Sequence, residues 1–308
     1  MALKKKAIFF TIIAILLVGL ILVSFSIISG YKLRDRMAVV ETRISTMNSF
    51  IDDAGKDMGR GLYISGFRSI LGMEQFIVTR GAFITNASSA FSELMINGSY
   101  NGTEINIMEG STFVDWMNKI KAEAGKIGII MDFTVNEIKI YQQEPWFVGI
   151  DLNITLNIAD ERNTAKWSNA KYVTTKIGIE GFEDPLYNIY SYGRVTNTIA
   201  RSNETYFSDA ELIGHLLNSR YIASITAPNF LMRLEGKFNS DASGIESLVN
   251  LGEFSAQEIP IYARSGVDYL YFSNSTLPYC TVNETASSYS WFKLDSGHLS
   301  TYSAACTG

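Results

Sequence analysis

Cysteine, histidine and proline are scarce in this chain of 308 residues, and each scarcity excludes something. Two cysteines, Cys280 and Cys306, cannot build a multi-disulfide scaffold. With no Cys-x-x-Cys pair and no clustered histidines beside them, they do not read as a zinc site. In an oxidising compartment they can close one loop near the C-terminus, and in a reducing one they stay free thiols. No proline precedes Pro145, so no residue of that type interrupts a helix before it. No acid precedes Asp35. Only one stretch is long and apolar enough to span a bilayer, which excludes a polytopic membrane protein.

Catalytic motifs are missing as well. There is no G-x-S-x-G, H-E-x-x-H, P-loop or G-x-G-x-x-G. His215 sits among Leu212, Leu216 and Leu217 on an expected helix and reads as a core residue. His298 has Asp295 three residues before it, a pair able to act as a base or a metal ligand but common by chance. Asp184 precedes Pro185 and reads as a turn former. No catalytic residue, cofactor or metal is expected, and no enzyme activity.

The formal net charge is −5. Setting Lys4, Lys5 and Lys6 aside from the 26 basic residues leaves 23 against 31 acidic, a net of −8 beyond residue 30. An acidic body does not attract a phosphate backbone, so no nucleic-acid partner is expected.

Ala7 to Ser29 carries no charge. At 1.5 Å per residue it extends about 35 Å, enough for a hydrocarbon core of about 30 Å. The lysines at 4–6 place the N-terminus in the cytoplasm by the positive-inside rule. Lys32, Arg34 and Arg36 oppose this from the far side, but a six-residue tail is retained more easily than a large domain. A cleaved secretory signal has a shorter apolar region and an A-x-A-like site, whereas this run ends Ser-Ile-Ile-Ser-Gly-Tyr-Lys. Removal of a basic leader after Lys6 or Ala7 is a third possibility.

Beyond the span, Leu33, Met37, Val40, Ile44, Met47, Ile51, Ala54 and Met58 follow a 4-3-4-3 spacing, an apolar seam on one helix face. Arg34, Asp35, Glu41, Arg43, Asp52, Asp53 and Lys56 fall off it. The membrane helix is therefore expected to continue to about Met58. Gly55, Gly59, Gly61 and Gly66 mark close packing, a kink or the helix end, and a second helical piece runs to about Thr79. The seam either pairs with another copy or packs on its own head domain; the second is favoured.

Residues 86–110 read as a loop-bearing region around a short apolar piece, Phe91 to Ile96. Ser111 and Thr112 cap an amphipathic helix through about Lys126. Ile129–Tyr141, Trp146–Ile158 and Tyr172–Ile179 read as strands. In the second, Val148, Ile150, Leu152, Ile154, Leu156 and Ile158 alternate with Gly149, Asp151, Asn153, Thr155 and Asn157. That pattern belongs to an antiparallel sheet with one wet face. Ala210–Tyr221 reads as a helix, Phe230–Leu234 and Ile245–Leu251 as short apolar pieces, and Val267–Phe272 as a strand.

Seven N-x-[ST] sequons occur, at Asn86, Asn97, Asn101, Asn153, Asn203, Asn274 and Asn283. All follow the span on the side assigned to the exterior, as glycosylation requires.

The basic leader, the apolar run from Ala7 and the amphipathic continuation to Met58 resemble the N-terminal spine of type IV pilin-like proteins. The resemblance implies a first helical half in the membrane or a filament core and a second half packed on a β-sheet head. Residues 7–30 lack the Glu that this family carries shortly after its leader. The whole chain, including Ile177 to Tyr187 and Ser243 to Val249, also resembles archaeal membrane-anchored surface proteins of pilin-like type.

The expected fold is α+β: a transmembrane helix continuing into a long amphipathic helix, packed on an antiparallel sheet head, with a second mixed α/β subdomain. Its parts are a cytoplasmic tail (1–6), a span (7–29), a helical stalk (30–79), a helix-plus-sheet domain (80–200) and a C-terminal subdomain (201–308). The expected function is a cell-surface structural protein, a pilin-like subunit or filament accessory. The alternative is an anchored envelope protein that binds a partner or glycan, or else a tethered hydrolase. The expected partners are the lipid bilayer and further copies, met through the N-terminal helix.

Overall fold

The computed structural model describes residues 2–162, 165–204, 206–285 and 289–307, with the backbone alone at 2–8, 32–33, 35–36 and 284. With no proline to break it, helix α1 runs from Ala2 to Arg80, 79 residues and about 120 Å long. The glycines at 55, 59, 61 and 66 neither end nor divide it. Two of them serve close packing. A Cβ at Gly61 would lie 2.5 Å from the Trp116 ring, and one at Gly66 would lie 2.5 Å from Ile150 Cδ1.

The second half of α1 lies on a sheet. Strands β3 (Ile129–Glu144), β4 (Phe147–Asp160) and β5 (Lys166–Gly178) form an antiparallel sheet with β4 in the middle. Each of the six alternating β4 residues, from Val148 to Ile158, is at most 2% exposed. Their cross-strand partners on the same face include Ile140, Ile138 and Met131 of β3 and Ile177 of β5. Met47, Ile51, Ala54, Met58, Leu62, Ile70, Met73 and Ile77 of α1 close this core. Alternation on the strand and a 3.6-residue period on the helix thus meet in one apolar layer.

Helix α2 (Ala87–Asn97) occupies the region expected to be loop-bearing. Asn86 starts it, its side chain accepting from the Ser89 N–H at 2.7 Å, and Phe91 and Leu94 reach the core. Serines at 88 and 89 face outward and, with Ser92, lend the segment its loop-like composition. A short hairpin of β1 (Ser99–Tyr100) and β2 (Thr103–Glu104) follows. Helix α3 (Phe113–Lys126) then starts from a Thr112–Asp115 capping box and buries Phe113, Met117 and Ile120.

Past the sheet, the elements are short: α4 (Pro185–Tyr190), α5 (Asp209–Asn218), β6 (Tyr221–Ala223), α6 (Phe230–Leu234), β7 (Ile245–Ser247), α7 (Leu251–Ala256), α8 (Asp268–Phe272), β8 (Tyr279–Thr281) and β9 (Lys293–Asp295). Strand β6 pairs with β7 and β8 with β9. The expected strand at Val267–Phe272 is instead α8, one turn of helix. The expected helix to Tyr221 ends at Asn218; Ser219 turns left-handed at φ 44° and Tyr221 opens β6. Ile199, Tyr221, Phe230, Leu234 and Ile245 join the core under the sheet. Two further clusters form around Leu216, Phe292 and Tyr302 and around Tyr187, Phe254 and Phe272. Cys280 and Cys306 are disulfide-bonded, with Cα atoms 5.6 Å apart.

Two outcomes follow for the full chain in detergent, read by denaturant and protease titration. Gly66→Val overpacks against Ile150 and is expected to cost about 1–3 kcal/mol. Gly59→Ala meets nothing within 4 Å and should add about 0.5–1 kcal/mol; equal effects at both positions would contradict the packing described. Cys280→Ser or Cys306→Ser should expose the chain after about residue 280 to protease, leave the sheet at 129–179 intact, and cost roughly 3 kcal/mol at most.

Candidate functional site

The largest unpartnered surface is on α1. Phe9–Tyr31 is 23 residues long with a mean hydropathy of 2.9, none of it buried against the rest of the chain. This is the one helix among the described residues that is long and apolar enough to cross a membrane. The seam beyond it divides. Met47, Ile51, Ala54 and Met58 are buried on the head, while Met37, Val40 and Ile44 are 65%, 41% and 45% exposed. The Leu33 side chain lies outside the described residues.

Arg43 marks the division. Its guanidinium reaches from α1 to the Asp160 carboxylate at the end of β4 and donates to the carbonyls of Ile127, at 2.9 Å, and Gly128. It therefore staples the helix to the base of the sheet and does not belong to a freely solvated face. A groove of about 600 Å³ opens beside it, between residues 38–46 of α1 and the segments at the ends of α3 and β4, at 127–128 and 160–162.

Of the sequon asparagines, Asn86, Asn97, Asn101, Asn203, Asn274 and Asn283 are exposed. Asn153 differs. It is half-buried on the polar face of the central strand, where its Nδ2 donates to the Tyr172 hydroxyl at 2.9 Å and its Oδ1 accepts from Asn136.

The head also holds buried charge. Arg233, fully buried, makes a bidentate pair with Asp268 at 2.9 and 3.2 Å and also bonds to Asp184. Asp184 is the N-cap of α4 as well, and Tyr221 donates to it at 2.8 Å. Ser247 donates twice to Asp268. Burial opposes the Arg233 charge, but the two aspartates outweigh it and hold the guanidinium protonated. Nearby, His298 Nδ1 lies 2.9 Å from Asp295, its Nε2 3.4 Å from Glu246, and Ser265 donates to Asp295 at 2.7 Å. Burial disfavours the imidazolium, yet the bonds to Asp295 and Glu246 raise it to about 10. The Asp295–His298 pair is thus assembled, but as a sealed ion pair. His215 is packed between Phe207 and Tyr302, and burial, then the Arg220 charge, lowers it to about 4. Among the described residues no group of three or more His, Cys, Asp or Glu is placed to hold a metal.

Sequence reasoning missed Arg233, Glu74, Glu246 and Asp268. The available signal was a lone charge inside an apolar run, as in Phe-Leu-Met-Arg233-Leu and Gly-Met-Glu74-Gln-Phe. Glu74 sits on α1, 8% exposed, with one carboxyl oxygen unpartnered. Burial, then the charge of Glu183, raises it from the ordinary 4.5 to about 9, so it is protonated at neutral pH.

Glu74 and His298 set a pH dependence. Each keeps in the fold a proton that the unfolded chain releases earlier, so their contribution is complete below the unfolded pKa and lost as pH rises toward the folded one. Both act between about pH 6.5 and 9, and stability should fall across that window. His215 acts oppositely, losing stability as pH falls from 6.5 toward 4. Melting temperatures of Glu74→Gln across pH 6.5–9 should fall less steeply than those of the parent. An unchanged slope would show that Glu74 does not titrate as described.

Comparison with known proteins finds no match: no protein family, no curated protein and no solved structure is similar to this chain.

Proposed function

We propose that this chain is a membrane-anchored cell-surface protein of pilin-like architecture, a subunit or accessory of a surface filament system. One observation carries the reading: a single unbroken helix is half packed on its own sheet and half bare. The bare half is of the length and apolarity that a bilayer accommodates, and the lysines at 4–6 orient its N-terminus to the cytoplasm. The head, with its disulfide and exposed sequons, suits the oxidising exterior. Met37, Val40 and Ile44, apolar and exposed just beyond the span, offer a contact stripe to neighbouring copies.

Cysteine cross-linking in native membranes tests the reading. Met37→Cys, Val40→Cys and Ile44→Cys should give disulfide-linked dimers on mild oxidation, and Met47→Cys and Ile51→Cys should not. Protease added to intact cells should digest the head and spare the N-terminal tail. Protection of the head would overturn the outside placement. Absence of cross-links at all three exposed positions would overturn assembly and leave a dispersed envelope protein.

A further inference from the structure

A cleft of about 290 Å³ lies between the α4 end and the turn after α8, at the low end of the size of small-molecule sites. Its lining is aromatic: Tyr190, Tyr192, Tyr262, Tyr271 and Phe272, with Arg264 and Asn274 as polar groups. Tyr190 and Phe272 stack at 5.1 Å with planes 13° apart. The Arg264 guanidinium lies 4.4 Å from the centre of Tyr262 and 5.2 Å from that of Tyr271. It donates to the Tyr271 carbonyl at 2.9 Å and to Asn274 Oδ1.

The ends of α4, α7 and α8 border the cleft, each followed by a left-handed residue. Six non-glycine residues of the described chain have positive φ, and three belong here: Tyr192 at 56°, Asn274 at 62°, and Glu258 at 56°, next to the lining residue Ile259. Each of the three follows a helix end and is held by the bonds that cap it: Gly193 N–H donates to the Asn188 carbonyl at 2.8 Å, Ile259 N–H to that of Phe254 at 3.0 Å and Ser275 N–H to that of Leu270 at 3.1 Å. Tyr192 takes this position at the end of α4 and leaves its side chain 82% exposed at the cleft.

Asn274 is also a sequon asparagine, completed by Thr276. It alone among the seven has an aromatic residue, Phe272, two positions before it. Arg264 holds Oδ1, which turns Nδ2, the atom that takes an N-linked sugar, away from the guanidinium. A pyranose ring has an apolar C–H face that packs on aromatic rings and hydroxyls that a guanidinium can bind. We infer that Asn274 carries an N-linked saccharide whose first ring or two are seated in this cleft against Tyr262 and Tyr192. The inference rests on the outside placement of the head. The attachment itself is performed by the host's transferase. The Nδ2–C1 bond forms as the bond from C1 to the phosphate of a lipid-linked sugar donor breaks; the amide loses one proton, and the phosphate leaves with the electron pair.

The test uses the full chain, exported in a host that N-glycosylates its exported proteins. Thr276→Ala removes the sequon but leaves Asn274, Arg264 and the cleft. Glycopeptide mass spectrometry should find Asn274 occupied, and Thr276→Ala should melt about 2–4 °C lower. Tyr262→Ala should cost less in the Thr276→Ala background than in the parent, because the two share one contact. An unmodified Asn274 beside other modified sequons overturns the seat and leaves the outside placement standing. No modification at any sequon overturns both. An occupied Asn274 with unchanged melting in Thr276→Ala shows a glycan that is not seated. Tyr262-dependent binding of free oligosaccharides by an unmodified Asn274 protein assigns the cleft to a saccharide in trans and overturns the attachment.

Discussion

Everything in this fold depends on the contact between residues 47–80 of α1 and the apolar face of β4. The strand offers six buried side chains in a row, and the helix answers with a stripe at helical spacing. Burial of apolar area is what holds such an interface, and it ends where the sheet ends. Arg43 fixes that end by tying the helix to Asp160 and to the carbonyls of residues 127 and 128. Below it, the same helix continues with an apolar surface that the chain itself does not cover. A helix that is apolar all round over Phe9–Tyr31 needs lipid or other helices around it.

The C-terminal region solves a different problem. Its helices and strands are short, so no continuous apolar layer can organise them. Two small clusters are joined to each other and to the main core by polar links instead. Arg233 ties α6 to the start of α4 through Asp184 and to α8 through Asp268, and His298 links β7 to β9 through Glu246 and Asp295. Directional bonds of this kind specify placement even where they add little net stability, since a buried charge without its partner is costly. The disulfide closes the last part of this region. Glu74 extends the polar region to α1, where it faces the charges of Glu183 and Asp184.

The regular parts were legible in the sequence because one period ran long enough to be unambiguous. Eleven alternating residues define β4, and the 4-3-4-3 seam defines the helix face. The partner of the seam was less legible, because the same spacing suits a head domain or a second helix; the exposure of Met37, Val40 and Ile44 against the burial of Met47 to Met58 divides it. Val267–Phe272 misled because alternation over a few residues also fits one helical turn, and the buried Asp268 is placed by Arg233, a partner 35 residues away. Region 86–110 misled by composition: Ser88 and Ser89 lie on the outer face of α2, and the cap at Asn86 was the sign that outweighed them. Buried charges were the least legible, since pairing among Asp184, Arg233 and Asp268 exists only in three dimensions.

Accessibility of spin labels placed along α1 in lipid bilayers tests the central division most directly. Labels within residues 9–31 should be reached by dissolved oxygen and not by a water-soluble paramagnetic reagent. Labels at 47, 51 and 58 should be shielded from both. A water-exposed 9–31 segment, or labels at 47–58 as accessible as those at 37–44, would contradict a helix shared between membrane and head.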